Sequence, residues 1–132
     1  MGHSMGSFIT RNYMYRYGTG IDGAVIMGTG MQPRAVLVLS KAFAGIQRVF
    51  LGQKHVSRLI DKLAFGAYNK KIRNPATPFD WLSRDGARVQ EYMDDPLCGF
   101  VFTVNGFAAL FELISRLHDK KNLEKIPKTL PV

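Results

Sequence analysis

The chain has 132 residues, of which 46% are hydrophobic, so it is long enough for one ordinary core and is neither disordered nor a disulfide scaffold. Cys98 is its single cysteine, and no spanning or leader segment is visible, so a cytoplasmic protein without internal disulfides is expected. The formal net charge is +8, but the basic residues are scattered and form no nucleic-acid module, so nucleic acid is not expected as a partner, whereas weak association with anionic membrane surfaces stays open.

The chain opens with the pattern G-x-S-x-G, from Gly2 to Gly6, with Ser4 at its centre. This pattern is typical of a tight turn from strand to helix that holds the serine at positive φ and exposes its hydroxyl as a nucleophile. Side chains at Gly2 or Gly6 are expected to collide with the crossing strand and helix. The backbone N–H of Met5 would point at a developing oxyanion, and the helix dipole would add to its effect.

The residues after Ser4 predict a helix from Ser7 to Tyr17, since apolar residues recur every four positions and Gly18 stands where a C-terminal cap belongs. This context strengthens a motif that is weak by itself. The strand that should precede Ser4 is expected to be absent, because the chain starts inside the motif. The sequence thus predicts the helix that follows the turn at Ser4 and does not predict a strand before the turn.

A second glycine pattern, G-x-G-x-x-G, runs from Gly18 to Gly23. It follows a helix and opens the apolar run 24–27, the reverse of the order in a dinucleotide site, so no cofactor is expected. The run predicts a strand from Ala24 to Met27 that is buried on both faces, as in parallel sheets. Helix, turn and strand form half of a right-handed crossover, and Gly28 to Gly30 end the strand at the sheet edge where a site would lie.

From Pro33 the pattern becomes helical. Pro33 suits a first helical turn, and a helix with one apolar face is predicted up to Gly52. That face comprises Val36, Leu39 or Ser40, Phe43, Ile46 or Gln47, and Phe50. A second helix carries Val56, Leu59, Ile60, Leu63 and Ala67. Residues 68–79 are predicted to form a loop, and residues 80–85 lead into a short helix that ends near Asp94.

The last third of the chain contains the clearest helix. An apolar run at 100–104 is predicted to be a strand or an extended entry, and Asn105 is expected to cap the following helix. Its buried face comprises Phe107, Leu110, Phe111, Ile114 and Leu117, while His118, Lys120 and Lys121 suit its negative end. Leu130 to Val132 look like the entrance of another strand, so the chain is expected to be cut at both ends.

Several segments together resemble the monoacylglycerol lipase and lysophospholipase branch of the α/β-hydrolases, whose members are also called serine aminopeptidase-like. They are residues 2–7, the strand at 23–27, the helical insertion, Trp81 to Asp85, Asp95 to Cys98, and the ending from Ile126-Pro127 to Pro131-Val132. The resemblance implies the middle portion of a three-layer α/β-hydrolase fold: hydrolase core at 1–32, helical cap at 33–100 and hydrolase core again at 101–132. It implies that Ser4 is the nucleophile, that Met5 provides an oxyanion-hole N–H, and that the substrate is a small lipid-like ester.

The same resemblance implies what this chain lacks. In that family the aspartate follows the strand that begins here at Leu130, the histidine comes later, and a His-Gly loop before the elbow supplies the other oxyanion donor. The 132-residue chain is therefore expected to be inactive by itself, because a serine without a base is a poor nucleophile. Its incomplete sheet is expected to favour self-association.

No other residue is a good substitute for the base. His3 adjoins Ser4, but neighbours on an elbow point in different directions, and in the family this position packs against the core; His55 and His118 are expected to face solvent or to cap helices. Asp80, Asp85, Asp94 and Asp95 stand at helix ends, where carboxylates usually cap. The histidines and Cys98 have no metal-ligand spacing, so no metal site is expected.

Six aromatic residues in or near the cap could line an acyl tunnel or could belong to a core: Phe43, Phe50, Phe65, Trp81, Phe100 and Phe102. Two rival functions stay open beside ester hydrolysis. One is a non-catalytic lipid-binding or interaction piece, and the other is an amide hydrolase related to aminopeptidases.

Overall fold

The computed structural model describes residues 1–132. Two short strands, β1 (Gly2–His3) and β2 (Ile26–Met27), are accompanied by six helices. The helices are α1 (Met5–Tyr17), α2 (Arg34–Leu51), α3 (Arg58–Phe65), α4 (Gly86–Asp94), α5 (Val104–Arg116) and α6 (Lys120–Leu123). Short 3₁₀ turns at Gly18–Gly20 and Tyr68–Lys71 complete the element list. The fold is a helix-rich part of an α/β structure, as the sequence predicts.

The sheet is parallel, with Gly2 opposite Ile26 and His3 opposite Met27. The expectation that no strand precedes Ser4 is wrong, because Gly2 N–H donates to Val25 O at 2.9 Å and so starts a short strand directly before the elbow. On the other side of β2, Ala24 N–H donates to Pro131 O at 2.9 Å. The C-terminal segment therefore reaches the edge of the sheet, although it forms no regular strand.

Burial of the second strand on both faces is also wrong. Ala24 is buried and Ile26 is half-buried, whereas Val25 and Met27 are exposed. Alternate residues of a strand point to opposite faces, and α1 packs against both strands. One face of this two-stranded sheet is therefore covered and the other is open.

The core lies where α5 packs along α2. The face predicted for α5 is confirmed: Phe107, Leu110, Phe111, Ile114 and Leu117 are all buried. Phe107 and Phe111 pack with Ala44 and Ile60, and Leu110 and Ile114 pack with Leu37. Each fully buried side chain of this size contributes about 1.5–3 kcal/mol relative to exposure, so this seam is the main source of stability.

The buried face of α2 agrees only in part with the predicted apolar face: Gln47 is buried and Phe43 packs, partly buried, against the core, as predicted. Leu37, Ala44 and Gln47 are buried against the rest of the molecule, and the Gln47 side chain accepts a hydrogen bond of 2.6 Å from the Ser57 hydroxyl. Val36, Leu39, Ile46 and Phe50 are exposed. Because α2 is apolar around most of its circumference, periodicity alone identifies more than one face.

Four of the six helices, α3 to α6, begin with a side-chain cap. Asn105 does not cap α5; the hydroxyl of Thr103 does, by accepting from Gly106 N–H at 3.2 Å. Lys120 and Lys121 do not belong to the end of α5 as expected, because Asp119 caps a new short helix there. The sequence offers polar residues at 103 and 105, and only the backbone direction decides which one can reach the free N–H groups.

Residues 68–79 form the predicted loop, apart from its 3₁₀ turn, and lead into α4 as expected. The carboxylate of Asp80 accepts from Ala76 N–H and Thr77 N–H and from the Thr77 hydroxyl. The Thr77 hydroxyl bond in particular lowers the pKa of Asp80. Residues 100–103 form the predicted entry to α5, with Thr103 in an isolated antiparallel bridge to Val56, whereas Val104 is already the first residue of the helix.

Each helix is too short or too polar to cross a bilayer. The division into core at 1–32, cap at 33–100 and core at 101–132 stays a prediction.

Candidate functional site

Ser4 lies at the turn from β1 into α1 with φ 50° and ψ −117°. A non-glycine residue at positive φ costs on the order of 1–3 kcal/mol and persists only where the surroundings hold it. Serine at an N-cap position normally caps the helix with its hydroxyl, but Ser4 makes no side-chain cap bond. Since the residue is exposed, its hydroxyl is available to an approaching ligand.

Hydrogen bonds on both sides hold Ser4 in this conformation. Its N–H donates to Met27 O at 3.0 Å, and its carbonyl accepts from Ser7 N–H at 2.9 Å and from the Ser7 hydroxyl. The Ser7 side chain is fully buried. Its Oγ also lies 2.9 Å from Thr29 Oγ1, whose hydroxyl can donate to it. The turn is thus tied both to the end of β2 and to the first turn of α1.

Of the two motif glycines, Gly2 is required in this structure and Gly6 is not. A Cβ at Gly2 would overlap the Gly6 carbonyl oxygen and Thr10 Oγ1, whereas a Cβ at Gly6 would meet no atom within 4 Å. The expected collision at Gly6 is therefore wrong. No strand of the two-stranded sheet passes over this position, so it has no crossing neighbour.

Met5 is the first residue of α1, so its N–H is one of the initial helix amides that have no partner inside the helix. The first turn contains no acidic side chain that would compete for these amides. Together with the helix dipole, this arrangement favours an anion beside Ser4. The geometry is compatible with Met5 N–H as an oxyanion donor.

The three histidines have other neighbours, and none is hydrogen-bonded to the Ser4 hydroxyl. His3 is exposed rather than packed in a core, and its ring lies against Gly28, which has φ 53°. His118 Nε2 lies 2.7 Å from Gln32 O. His55 is exposed, as expected, and its carbonyl accepts from Val104 N–H.

The aspartates mostly cap backbone N–H groups, as expected. Asp85 caps α4, Asp95 accepts from Leu97 N–H, and Asp80 holds the loop described above. Asp94 accepts instead from the Gln90 side chain at 2.8 Å. These carboxylates therefore serve local structure in this chain.

An apolar cleft of about 400 Å³ lies between α2, α3 and α5. Phe8, one helical turn after Ser4, forms part of its wall, and Gln32 and Ser40 are its polar lining residues. Phe43 and Phe65 line it, while the other four aromatic candidates do not. Phe102 instead packs against the core, and Phe50 and Phe100 are exposed. Two of the six aromatic residues that could line an acyl tunnel, Phe43 and Phe65, therefore line an apolar cleft, and the other four do not.

The supporting role of Ser7, Thr29 and Arg11 was not evident from the sequence. Arg11 Nη1 lies 3.4 Å from both Thr29 Oγ1 and Gly30 O, so it joins α1 to the segment after β2. The glycines flanking Thr29 indicate a turn at the sheet edge, which is a weak signal for this contact. Side-chain contacts between residues more than 15 positions apart in the chain cannot be predicted from the local sequence pattern.

Comparisons with known proteins are consistent with this geometry. The chain matches the family described as "Serine aminopeptidase, S33" over residues 1–131. It is similar to a solved structure of a highly thermostable carboxyl esterase from Bacillus coagulans in complex with glycerol, with 25% identity and a TM-score of 0.81. The similarity covers 98% of this chain and 42% of that esterase chain, so this chain spans about two fifths of that protein. No curated protein matches the chain. The chain belongs to the serine aminopeptidase S33 family of the α/β-hydrolases.

Proposed function

We propose that Ser4 is the nucleophile of a serine hydrolase that cleaves carboxylic esters of monoacyl lipids, as monoacylglycerol lipases and lysophospholipases do. The observation that carries the proposal is the Ser4 conformation: φ 50° at a strand-to-helix turn, with an exposed hydroxyl that does not cap the helix. This strain is maintained by partly buried hydrogen bonds of the fully buried Ser7 side chain, which is typical of a functional position.

In the proposed reaction the Ser4 Oγ attacks the ester carbonyl carbon while a general base takes the hydroxyl proton. Met5 N–H stabilises the negative charge on the carbonyl oxygen. The base then protonates the departing alcohol, and water attacks the acyl-enzyme to release the acid and regenerate Ser4. Because no histidine of this chain is bonded to Ser4, the base and its aspartate partner are assigned to residues outside these 132.

The apolar cleft supports a lipid-like acyl group as substrate. Thirteen of its fifteen lining residues are hydrophobic, and its volume of about 400 Å³ lies within the range of small-ligand sites. Phe8 places one wall of the cleft a single helical turn from Ser4. A substrate whose ester carbonyl lies at Ser4 would be able to place its acyl chain along Phe8 in the apolar cleft.

Two alternatives are retained because specific observations favour them. The family description names an aminopeptidase, which favours amide cleavage. The cleft with an unpaired Ser4 equally suits a lipid-binding piece without catalysis. Parallel assays with a p-nitrophenyl ester and a p-nitroanilide of the same acyl group separate ester hydrolysis from amide hydrolysis. If the chain binds fatty acid and no longer form of it shows turnover, the function is lipid binding without catalysis.

The decisive experiment compares this chain with a form that carries the flanking hydrolase segments. We expect the longer form to react with an activated fluorophosphonate at Ser4 and to hydrolyse p-nitrophenyl esters, and the 132-residue chain to show no turnover above its Ser4→Ala control. Loss of a triad base costs about 10⁶ in rate in a comparable enzyme. Labelling at Ser7, or labelling that persists in Ser4→Ala, would contradict the assignment of Ser4 as the nucleophile. Ser4-dependent turnover by the 132-residue chain would contradict the assignment of the general base to residues outside it.

A further inference from the structure

A second cleft lies between the first half of α2 and the turn that joins α5 to α6. Its volume is about 810 Å³, which is within the range of small-ligand sites. Four of its nine lining residues are cationic, namely Arg34, Lys41, Lys120 and Lys121, and Asp119 is its one acidic lining residue. This cleft, here called the basic cleft, therefore carries an excess of positive charge.

The carboxylates near the basic cleft compensate this charge only in part. Glu112 pairs with Lys41 at 2.7 Å, but it also accepts from Arg116 Nε at 3.0 Å, so one negative charge serves two cations. The Asp119 carboxylate caps α6 by accepting from a backbone N–H at 2.9 Å. Arg34 and the two lysines of α6 take part in no ion pair. Unpaired positive charge along a concave surface attracts anions.

The hydrogen-bond donors of the basic cleft are ordered in the absence of a ligand. Arg34 Nη2 donates to His118 O at 2.6 Å, which orients the guanidinium and leaves its other N–H groups unused. Lys120 and Lys121 lie in the first turn of the capped helix α6. The Ser115 hydroxyl lines the cleft and makes no hydrogen bond within the protein. Donors that are already ordered lose less entropy when a ligand binds.

The composition of the lining indicates the chemistry of the ligand. Leu37 and Val38 are its two hydrophobic residues, and no Phe, Tyr or Trp is present on which a ring could stack. Guanidinium and ammonium groups, in contrast, bind phosphate oxygens through charge-assisted hydrogen bonds. Three unpaired cations around one cleft match a multiply charged phosphate better than a carboxylate. The lining therefore favours recognition of phosphate groups over recognition of an organic ring.

We propose that the basic cleft binds a soluble diphosphate or polyphosphate anion, with Arg34 and the α6 lysines on its oxygens and the Ser115 hydroxyl as a further donor. No residue of the turn at Ser4 lines this cleft, and Leu37 is the one residue that it shares with the apolar cleft. The anion site is therefore distinct from the proposed ester site. Anion binding does not require Ser4, so it stands or falls separately from the proposed hydrolysis.

The test is isothermal titration calorimetry of the 132-residue chain with sodium pyrophosphate, without divalent metal ions, at an ionic strength of about 0.1 M. We expect saturable binding at one site per chain, weaker binding of inorganic phosphate, and a loss of affinity at about 0.5 M salt. Pyrophosphate should also raise the melting temperature, because it binds the folded state. Ser4→Ala should bind like the parent chain. Absence of saturable binding overturns the proposal.

Matched charge variants locate the site. Lys120→Gln with Lys121→Gln should weaken pyrophosphate binding by about tenfold or more, because charge-assisted hydrogen bonds are lost. Lys70→Gln with Lys71→Gln removes the same net charge from an exposed turn outside the cleft, so it should change the affinity by less than about twofold. Circular dichroism verifies that each variant keeps its helices. Equal losses for the two pairs would show diffuse attraction and overturn the assigned site.

A phospholipid headgroup presents the same phosphate chemistry as the soluble anion. Co-sedimentation of the chain with vesicles that contain phosphatidic acid distinguishes the two sources. If the chain binds these vesicles and does not bind pyrophosphate, the occupant is a lipid headgroup and the proposal is wrong. Ser115→Ala provides a further check, since it should weaken pyrophosphate binding by about threefold through the loss of one neutral donor. Unchanged affinity would remove Ser115 from the site.

Discussion

The Ser7 hydroxyl donates to the carbonyl oxygen of Ser4, three residues earlier, and so fixes the residue whose φ is 50°. Ser7 is itself fully buried and lies 2.9 Å from Thr29 Oγ1. The strained turn is therefore supported from inside the molecule, while the Ser4 side chain faces solvent. Two consequences can be measured without any assay of catalysis.

Replacing Ser4 by glycine should stabilise the fold by about 1 kcal/mol, because glycine adopts positive φ without the steric cost of a Cβ. Ser4→Ala should not have this effect, since alanine keeps the Cβ. Urea denaturation at unchanged m-value measures the difference. Ser115→Gly, within α5, serves as the control and should destabilise by about 1 kcal/mol. A loss of stability in Ser4→Gly would show that the turn is not strained.

Ser7→Ala should destabilise the chain by about 1–2 kcal/mol, because the variant removes a partly buried hydrogen bond and takes one of its partners from Thr29 Oγ1. Ser115→Ala is the matched control, since the Ser115 side chain is half-buried and makes no hydrogen bond. Thermal or urea unfolding compares the two. Equal effects of both variants would contradict a supporting role for Ser7.

The two motif glycines should respond oppositely to alanine. Gly2→Ala should cost about 1–3 kcal/mol, because its Cβ would overlap the backbone oxygen of Gly6. Gly6→Ala should be neutral or stabilising by up to about 1 kcal/mol, because the position is helical and has open space. Paired melting curves provide the measurement. A large loss in Gly6→Ala would mean that another part of the molecule passes over this residue.

Stability should depend on the ionisation of Glu112, which joins α5 to Lys41 of α2 and to Arg116. The Lys41 hydrogen bond, and then the Arg116 bond, lower the pKa of Glu112. A lowered pKa means that the stabilisation is complete above the unfolded-state pKa and is lost as the pH falls through the folded-state pKa. Because the side chains are about two fifths exposed, Glu112→Gln should cost no more than about 1 kcal/mol at pH 7.

Urea midpoints of Glu112→Gln and the parent chain should differ at pH 7 and converge in acid. Glu91→Gln is the control, because its partner Arg88 lies on the same exposed helix surface and links no separate elements. A difference that persists below the folded-state pKa of Glu112 would mean that the glutamine disturbs packing and not an ion pair.

In a form of the protein that hydrolyses esters, Leu63→Ala should raise KM for long-chain esters by about tenfold and leave acetyl esters unchanged, because Leu63 lines the apolar cleft. Leu59→Ala lies on the same helix but outside the cleft lining, so it should change neither. Rates with a series of p-nitrophenyl esters measure the effect. Equal losses on short and long esters would assign Leu63 to folding instead of substrate selection.

The sequence was most informative where local pattern decides the structure. The face of α5 follows from apolar residues at helical spacing, and the turn at Ser4 follows from a five-residue motif. It was least informative where distant residues decide. The short β1 strand exists because residues 25–27 supply its partners, and the Ser7–Thr29 contact requires the same pairing. The buried side of α2 depends on where α5 lies, since α2 offers apolar residues on most of its surface.

Several of the contacts that close this fold join opposite ends of the chain. The Asn12 side chain donates to Leu113 O at 3.0 Å, and Ala24 N–H donates to Pro131 O. At translation rates of about 5–20 residues per second, α5 emerges from the ribosome roughly 5–20 s after α1. Helix formation takes about a microsecond, so α1 is without its partner for a period far longer than its own folding time. During synthesis α1 therefore remains for seconds without the surface of α5 against which it packs.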